Sequence, residues 1–399
     1  MGHSEIAPRK VPYGTFKSTK RMYDLINEVL ASERISYGEK SMLFERQFAD
    51  LHDCKYGILS NSGTSSLHVA LQALKELHGW EDGDEVIVPA STFVATINVV
   101  LHNNLTPVFV DIEPETYGID PLLIAQKVTE RTRAIIPVHL YGQPCSMLSI
   151  MELATMHDLA IIEDSCEAAF VSCAGAKVGS MGQIGCFSTY NAHLICTGVG
   201  GMATTNDDAY AMKMRSLVNH GLDIAELNVD ENFSPRPAVG RSFAFTHAGH
   251  SYRITELEAA MGLAQLETYP DMLKARRRNA THLTAVFEQI NELFGWNVTL
   301  PKTALGNEHS WMMYAVVLDP GKVAKEELTG YLNRHYIETR DMMPIVNQPI
   351  YESMIRRGEF PIAEWTCENG FYVGCHQDLE PIDIEYVRQV LVNFAQMKR

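Results

Sequence analysis

Short apolar runs alternate with amphipathic stretches through the first half of the chain. YGILS precedes SSLHVALQALKEL, DEVIVPA precedes TFVATINVVLHNN, and TPVFVDI, RAIIPVHL and LAIIEDS follow at similar spacing. The runs are apolar at almost every position, as in strands covered on both faces, and the segments between them have helical periodicity. From residue 56 to about 220, this pattern predicts an α/β fold with a large, mostly parallel sheet.

The pattern changes near Tyr252. ITELEAAMGLAQLETYPDMLKARRRNATHLTAVFEQI has the periodicity of a long helix with a break expected at Pro270. Beyond it, SWMMYAVVL, KEELTGYLNRH, GFYVGC and IDIEYVRQVLVNFAQM predict a smaller α+β unit. We therefore expect a large domain over residues 1–265 and a small C-terminal α+β domain over residues 266–399.

Charge and cysteine content narrow the class of protein. The net charge of −16 over 399 residues argues against a nucleic-acid partner, whose phosphates need a basic surface. Neither a membrane-length apolar run nor a signal-peptide core is found in the sequence, so we expect a cytoplasmic protein without a membrane partner. The eight cysteines are scattered, and the spacing of Cys186, His193 and Cys196 matches no usual zinc site, so no metal is expected.

Candidate chemistry stands at the ends of three predicted strands. NSGTSSLHVAL places Gly63, Thr64 and Ser65 where a loop opens a helix, which suits a phosphate, although such residues are more often only helix caps. Phe93 in PASTFVATIN would stack on a flat ring or be ordinary core. Asp164 in IIEDSCEAAF would face a cleft and need a cation such as a protonated pyridine nitrogen, with helix capping as the alternative.

A fourth segment, CFSTYNAHLICTGVGGMATTND, has an imidazole at its centre. Ser188 stands five residues before His193, and the chain has no lysine between Lys177 and Lys213. An imidazole with its ordinary pKa of about 6.5 takes and returns a proton near neutral pH. The segment therefore combines a candidate cofactor contact with a candidate acid–base residue.

Together these segments resemble the sugar aminotransferase family named for DegT, DnrJ, EryC1 and StrS, from about Arg34 to the C-terminus. Similar stretches include GDEVIVPASTFVAT, TPVFVDIEPETYGIDP, IIPVHLYGQP, EDSCEAA and YRITELEAAMGLAQL. Members are pyridoxal phosphate (PLP) enzymes of fold type I, the aspartate aminotransferase fold. The resemblance implies a homodimer whose active site lies at the interface and is completed around Tyr252 and Arg253.

The resemblance also implies roles for the residues at the strand ends. The phosphate of the cofactor would be held by Gly63, Thr64, Ser65 and Ser188, and its ring would stack on Phe93. Asp164 would pair with the pyridine nitrogen. Glu167 falls where many members have a glutamine near the ring hydroxyl, and Ser251 where members commonly have an asparagine that reaches the neighbouring subunit's cofactor.

Three further residues are candidates for substrate contact. Tyr37 and Gly38, in RISYGEKSM, match a stretch that lines the substrate entrance in relatives. Arg241, in a long loop expected over residues 223–247, would meet a diphosphate or would simply be solvated. The implied partners are a nucleotide sugar and glutamate as amino donor.

The family's lysine, which forms a Schiff base with the cofactor, is replaced here by His193. Imidazole forms no stable imine, so the cofactor would be held noncovalently. A smaller branch with this histidine comprises 3-dehydratases of nucleotide-linked 4-keto-6-deoxyhexoses, which use pyridoxamine phosphate (PMP) and in which the histidine moves the proton at C4′. The resemblance to that branch implies PLP/PMP-dependent 3-deoxygenation in deoxysugar biosynthesis, including that of lipopolysaccharide. An iron–sulfur cluster, present in one relative, is not expected, because only Cys367 and Cys375 follow Cys196.

Two departures from the family pattern leave other functions open. Leu194 follows the histidine, and Val199 stands where members commonly have glutamate. The chain could belong to a third histidine branch, be a nucleotide-sugar aminotransferase with another base, or be a non-catalytic homologue that binds cofactor or sugar nucleotide. The retention of Asp164 and Ser188 argues against the last.

Overall fold

The strands form one large sheet, one small sheet and a hairpin. A computed structural model describes residues 6–191, 193–223, 244–343 and 345–398. In chain order its strands are β1 (Tyr56–Ser60), β2 (Glu85–Pro89), β3 (Thr106–Val110), β4 (Thr132–Ile135), β5 (Ala160–Asp164), β6 (Ser172–Cys173), β7 (Ala176–Lys177), β8 (Ile184–Ser188), β9 (Gly201–Thr205), β10 (Met313–Val317), β11 (Thr339–Asp341) and β12 (Gly370–Gly374).

The described residues also form helices. In order they are α1 (Lys20–Ala31), α2 (Glu39–Leu51), α3 (Gly63–His78), α4 (Val94–His102), α5 (Pro121–Ile124), α6 (Met147–His157), α7 (Asp208–Leu217), α8 (Glu256–Leu266), α9 (Tyr269–Phe294), α10 (Lys325–Arg334), α11 (Pro361–Asn369) and α12 (Pro381–Met397), with 3₁₀ turns at Leu140–Gly142 and Pro349–Tyr351. The expected break at Pro270 is confirmed, since Pro270 lies in the first turn of α9, after α8 has ended.

The large sheet has the strand order β1-β9-β8-β5-β4-β2-β3. β9 is antiparallel to both of its neighbours, and the other pairs are parallel. Because only β9 is reversed, the carboxyl ends of the other strands lie at one edge of the sheet. Ligands of open α/β sheets bind at this edge, and the predicted α/β fold is confirmed.

Both faces of this sheet are covered. Val86 and Val88 of β2 pack in one core cluster, and Ile87 between them packs in another. Successive strand residues point to opposite faces, so helices must shield both sides. Continuous apolar runs such as DEVIVPA are the sequence signature of this arrangement.

A second unit contains the antiparallel sheet β10-β12-β11. Its core includes Val316, Phe371 and Leu391, together with Val11 from the N-terminal segment. Val11 is tied to this unit by backbone hydrogen bonds to residues 336 and 338. The division near residue 265 stays a prediction, and Val11 packs with the C-terminal unit rather than with the large sheet.

All eight cysteines are free thiols, and seven of them are buried. Among the described helices, none has the length and apolar character needed to cross a membrane.

Candidate active site

The turn between β1 and α3 is suited to bind an anion. Ser62 caps α3 by accepting the Ser65 N–H at 3.0 Å, and the Ser65 hydroxyl donates to Asn61 Oδ1 at 2.6 Å. The first N–H groups of a helix have no acceptor within the helix. Those of Gly63 and Thr64 therefore remain for a phosphate, while Ser65 is engaged in the cap itself.

This turn packs directly against the end of β8. A Cβ atom on Gly63 would come within 2.8 Å of both Ser188 Cβ and Cys166 Sγ, so the close approach requires glycine. Ser188 is the last residue of β8, and its Oγ accepts the Tyr190 N–H at 3.3 Å. The structure thus brings Gly63 and Ser188 together and places the segment after β5 beside them.

Asp164 ends β5 and is 4% exposed. Its Oδ2 accepts from Thr96 Oγ1 at 2.8 Å, and its Oδ1 accepts from the Cys166 N–H at 3.3 Å. Burial raises the pKa of this carboxyl, while its hydrogen bonds with Cys166 and Thr96 and the charge of His139 oppose the rise. Since a buried carboxylate is costly unless it is paired with a cation, a protonated pyridine nitrogen in direct contact with Asp164 would stabilise its charge. With the anion-binding turn nearby, the donor set fits PLP.

Glu167 is a second buried carboxyl at this edge. Its Oε2 accepts the Tyr141 N–H at 2.6 Å. Burial raises the pKa of Glu167 to about 7, the Tyr141 hydrogen bond opposes this rise, and the charge of Asp164 adds to it. Near neutral pH the carboxyl is thus partly protonated, and it both donates and accepts hydrogen bonds, which suits a ring hydroxyl.

The loop that carries His193 is closed at its base. The Thr197 N–H donates to the Thr189 carbonyl at 2.9 Å, and the two hydroxyls are 2.6 Å apart. Gln265 of α8 pairs with both the N–H and the carbonyl of Cys196, at 2.9 and 2.7 Å. The place of His193 is therefore set by β8, β9 and α8 together.

The His193 imidazole is half-buried beside Tyr190, whose carbonyl accepts the His193 N–H at 2.9 Å. Burial lowers the pKa of His193 to about 4, the Tyr190 carbonyl opposes this, and the Arg276 cation lowers it further. The ring is therefore uncharged at neutral pH and able to accept a proton. Its Nδ1 is buried without a hydrogen-bond partner among the described residues.

The residues predicted for the cofactor fall into two groups. Gly63, Ser188, Asp164 and Glu167 lie on adjoining strand ends. No contact within the described ranges joins His193 to Asp164. The structure therefore brings these four residues to one edge of the sheet and places the imidazole on the neighbouring loop, and their roles in binding the cofactor stay predictions.

Two other predicted residues are open to solvent. Phe93 precedes α4 with its ring 58% exposed, so it is not ordinary core. Ser251 is exposed, and its Oγ accepts from Arg253 at 3.1 Å. Both are free to contact a ligand or a second subunit, and their predicted roles stay predictions. Arg241 lies outside the described residues.

Tyr37 and Gly38 are engaged in structural contacts. The Tyr37 hydroxyl donates to Glu45 at 2.6 Å and accepts from Arg215 at 2.7 Å. The Gly38 N–H donates to Glu256 at 2.8 Å. Their place at a substrate entrance stays a prediction, since these contacts account for both residues without a ligand.

Three supporting residues had no role in the sequence prediction. Thr96 holds Asp164, Tyr141 holds Glu167, and Gln265 anchors the His193 loop. All three stand inside segments that carry the family resemblance, and this was the signal in the sequence that could have identified them. Within the described residues, no group of three His, Cys, Asp or Glu is placed to hold a metal ion.

Comparison with known proteins gives similarities over nearly the whole chain. A sequence model of the DegT/DnrJ/EryC1/StrS aminotransferase family matches residues 17–392. The chain is 38% identical over 354 residues to GDP-perosamine synthase of Caulobacter vibrioides, covering 88% of this chain and 89% of that protein. It is 32% identical over 382 residues to dTDP-4-dehydro-2,6-dideoxy-D-glucose 3-dehydratase of Saccharopolyspora spinosa. That alignment covers 91% of this chain and 81% of that protein. The E. coli GDP-4-keto-6-deoxy-D-mannose-3-dehydratase with bound hydrated PLP has a similar structure, with a TM-score of 0.86, 26% identity, and coverage of 96% of this chain and 99% of that one.

Proposed function

The chain belongs to the DegT/DnrJ/EryC1/StrS aminotransferase family, and we propose that it is a dehydratase that removes the 3-hydroxyl of a nucleotide-linked 4-keto-6-deoxyhexose. The protein is an enzyme, and its cofactor is PLP or PMP. The observation that carries the proposal is His193, a neutral imidazole on the loop after β8. The similarity to two 3-dehydratases supports it.

The cofactor would be held by the residues at the sheet edge. Gly63, Thr64 and Ser188 bind its phosphate, Asp164 its pyridine nitrogen and Glu167 its ring hydroxyl. When bound in its amino form, the cofactor supplies an amine for the sugar ketone and a ring that accepts electron density. Asp164 stays ionised beside the pyridinium, because the pair satisfies both charges.

His193 is proposed to move the proton at C4′. An uncharged imidazole accepts that proton, and a histidine whose pKa is lowered to about 4 gives it up readily as an acid to the departing 3-hydroxyl. Because imidazole forms no stable imine, His193 does not capture the cofactor in its aldehyde form. Glutamate as amino donor and a homodimeric assembly are parts of the same proposal.

The test is a panel of nucleotide-linked 4-keto-6-deoxyhexoses, supplied with PLP and glutamate and analysed by mass spectrometry. We expect a 3-deoxy ketose lighter than the substrate by one oxygen atom, with the nitrogen of the amino cofactor released as ammonia. His193→Asn should lower the rate by about 10²–10⁴-fold, the usual contribution of a positioned acid–base group. Amino sugars without a deoxy product, or an Asn variant as fast as wild type, would refute the assignment.

A second candidate is a nucleotide-sugar aminotransferase. The higher identity to GDP-perosamine synthase, 38% against 32% for the dehydratase, favours it. It requires another residue to do the work of the family's lysine. The next lysine after the loop, Lys213, is engaged elsewhere, with its Nζ 2.7 Å from Glu76 and 3.0 Å from His247. The same panel separates the candidates, since this one predicts an amino sugar.

A further inference from the structure

A cavity of about 330 Å³ lies beside the His193 loop. Its walls come from the N-terminal segment, from α8 and α9, and from the residues that follow β12. His193, Gln377 and Asp378 all line it. It therefore connects the proposed acid–base residue with a polar segment of the C-terminal unit.

Three polar atoms of these lining residues are buried without a hydrogen-bond partner among the described residues. They are His193 Nδ1, Gln377 Oε1 and Asp378 Oδ2. Buried polar atoms in proteins are nearly always hydrogen-bonded to protein or to ordered water. Two of the three are oxygen acceptors, which cannot bond to each other, so donors must lie between them. The cavity has room for several water molecules, since each needs about 10–15 Å³.

Asp378 lies in the wall of this cavity and is partly exposed to solvent. Its Oδ1 lies 3.1 Å from Lys17 Nζ, and the two side chains are 21% and 67% exposed. The Asp378 side chain therefore both lines the cavity and reaches solvent. Asp271 also lines the cavity, and the charge of Arg276 acts on His193.

We propose that Gln377 and Asp378 form a water-linked proton path between His193 Nδ1 and solvent, with Asp378 as the residue that exchanges the proton. The proposal rests on the proposed acid–base role of His193. When the ring has taken up a proton at its other nitrogen and does not pass it to the departing hydroxyl, as in the half-reaction with glutamate, a proton is released from Nδ1 through water to Asp378 and then to bulk. The imidazole ends neutral in its other tautomer, and no co-reactant is needed.

The first test is the half-reaction with glutamate, in which absorbance follows the conversion of PLP to PMP without any sugar. Asp378→Asn should slow it by about tenfold in dilute buffer, less than loss of the acid–base group itself. Added imidazole or formate should restore the rate, because small buffers replace a missing proton carrier. A purely structural defect would not respond to buffer.

Lys17→Met is the matched control. It removes the same exposed ion pair but keeps the Asp378 carboxylate, so its rate should stay within about twofold of wild type. An Asp378→Asn variant as fast as wild type, a Lys17→Met variant equally slow, or a defect insensitive to buffer would overturn the proposal.

A second measurement needs neither cofactor nor turnover. In ¹⁵N-histidine NMR spectra of the cofactor-free protein, the His193 signal is identified by its loss in His193→Asn. Asp378→Asn and Gln377→Leu should each change the Nδ1 shift and the tautomer ratio, and Lys17→Met should not. Unchanged spectra in both cavity variants would overturn the path. If the spectra and the buffer rescue agree but no deoxy sugar forms, the dehydratase assignment fails while the path stands.

Discussion

Burial shifts the pKa of His193 down and the pKa of Glu167 up. An imidazole whose pKa is lowered to about 4 is uncharged at neutral pH, and a carboxyl whose pKa is raised to about 7 is partly protonated there. Burial disfavours the charged form in both cases. The site therefore contains an uncharged base and a partly protonated acid. If the same two side chains were exposed, each would carry more charge at neutral pH. A lysine in place of His193 would add a primary amine able to bind an aldehyde covalently.

We expect His193→Lys to attach PLP covalently. A lysine amine forms an imine with an aldehyde, and imidazole does not. Borohydride reduction followed by peptide mass mapping should find an adduct at position 193 in the variant and none in wild type. A reduced adduct on any lysine of the wild-type protein would contradict the noncovalent cofactor and revive the aminotransferase.

Glu167 should make the stability of the cofactor-free protein depend on pH. Its pKa is about 7 when folded, against about 4.3 in an unfolded chain, so the folded state binds its proton more tightly. The corresponding stability is present below about pH 4 and is lost as pH rises to about 7, by at most about 1.4 kcal/mol per unit. The melting temperature of wild type should therefore fall over this range relative to that of Glu167→Gln.

The control for this titration is Glu152→Gln, which changes an exposed carboxyl. It should keep the pH dependence of wild type. If the melting temperature of Glu167→Gln also keeps the pH dependence of wild type, Glu167 does not titrate in this range.

At the level of elements, α8 orients both α2 and the His193 loop. Glu256, in its first turn, accepts the N–H groups of Gly38, Lys40 and Ser41 at 2.8 to 2.9 Å. These groups open α2, so a negative charge there also suits the helix dipole. Gln265, at the other end of α8, holds the loop. A single helix thus fixes the stretch at Tyr37 and Gly38 relative to the imidazole.

Glu256→Ala should destabilise this arrangement. It leaves the N–H groups that open α2 without their acceptor, which should lower the free energy of unfolding by about 3 kcal/mol. Thermal unfolding by circular dichroism measures the change. Glu258→Ala, in the same turn, removes only the capping box of Thr255 and should lose about 1 kcal/mol. Equal losses would show that the contact with α2 carries no special stability.

At the level of the whole molecule, apolar surface is exposed around the proposed site. Phe93, Tyr190 and Val199 are 58%, 55% and 51% exposed. Exposed apolar groups beside a cleft are typical of surfaces that another chain covers. Because Tyr190 and Val199 flank the His193 loop, a second subunit placed there would also exclude water from the reaction.

Light scattering at micromolar concentration should give twice the chain mass. Val199→Asp, which places a charge on the proposed interface, should shift the protein towards monomer. Leu122→Asp is the control, since Leu122 is 80% exposed on α5 and is not among the residues predicted for the site. A monomeric wild type, or equal effects of the two variants, would contradict the homodimer.

The sequence by itself determined the α/β class, the break at Pro270 and the positions of the polar residues at the strand ends. These depend on local properties: a continuous apolar run predicts a doubly covered strand, and proline interrupts a helix. The family resemblance added the roles of Asp164 and His193. None of this requires knowing which distant segments meet.

Only the tertiary structure decided what surrounds those residues. The hydrogen bonds of Asp164 with Thr96 and of Glu167 with Tyr141 join segments 68 and 26 residues apart. The cavity that links His193 with Asp378 joins residues 185 positions apart in the chain (378 − 193). Burial, and with it the pKa of each group, follows from the packing of whole elements rather than from local sequence. For that reason, the sequence could place an imidazole on the loop but could not show that it is neutral or what lies beside its second nitrogen.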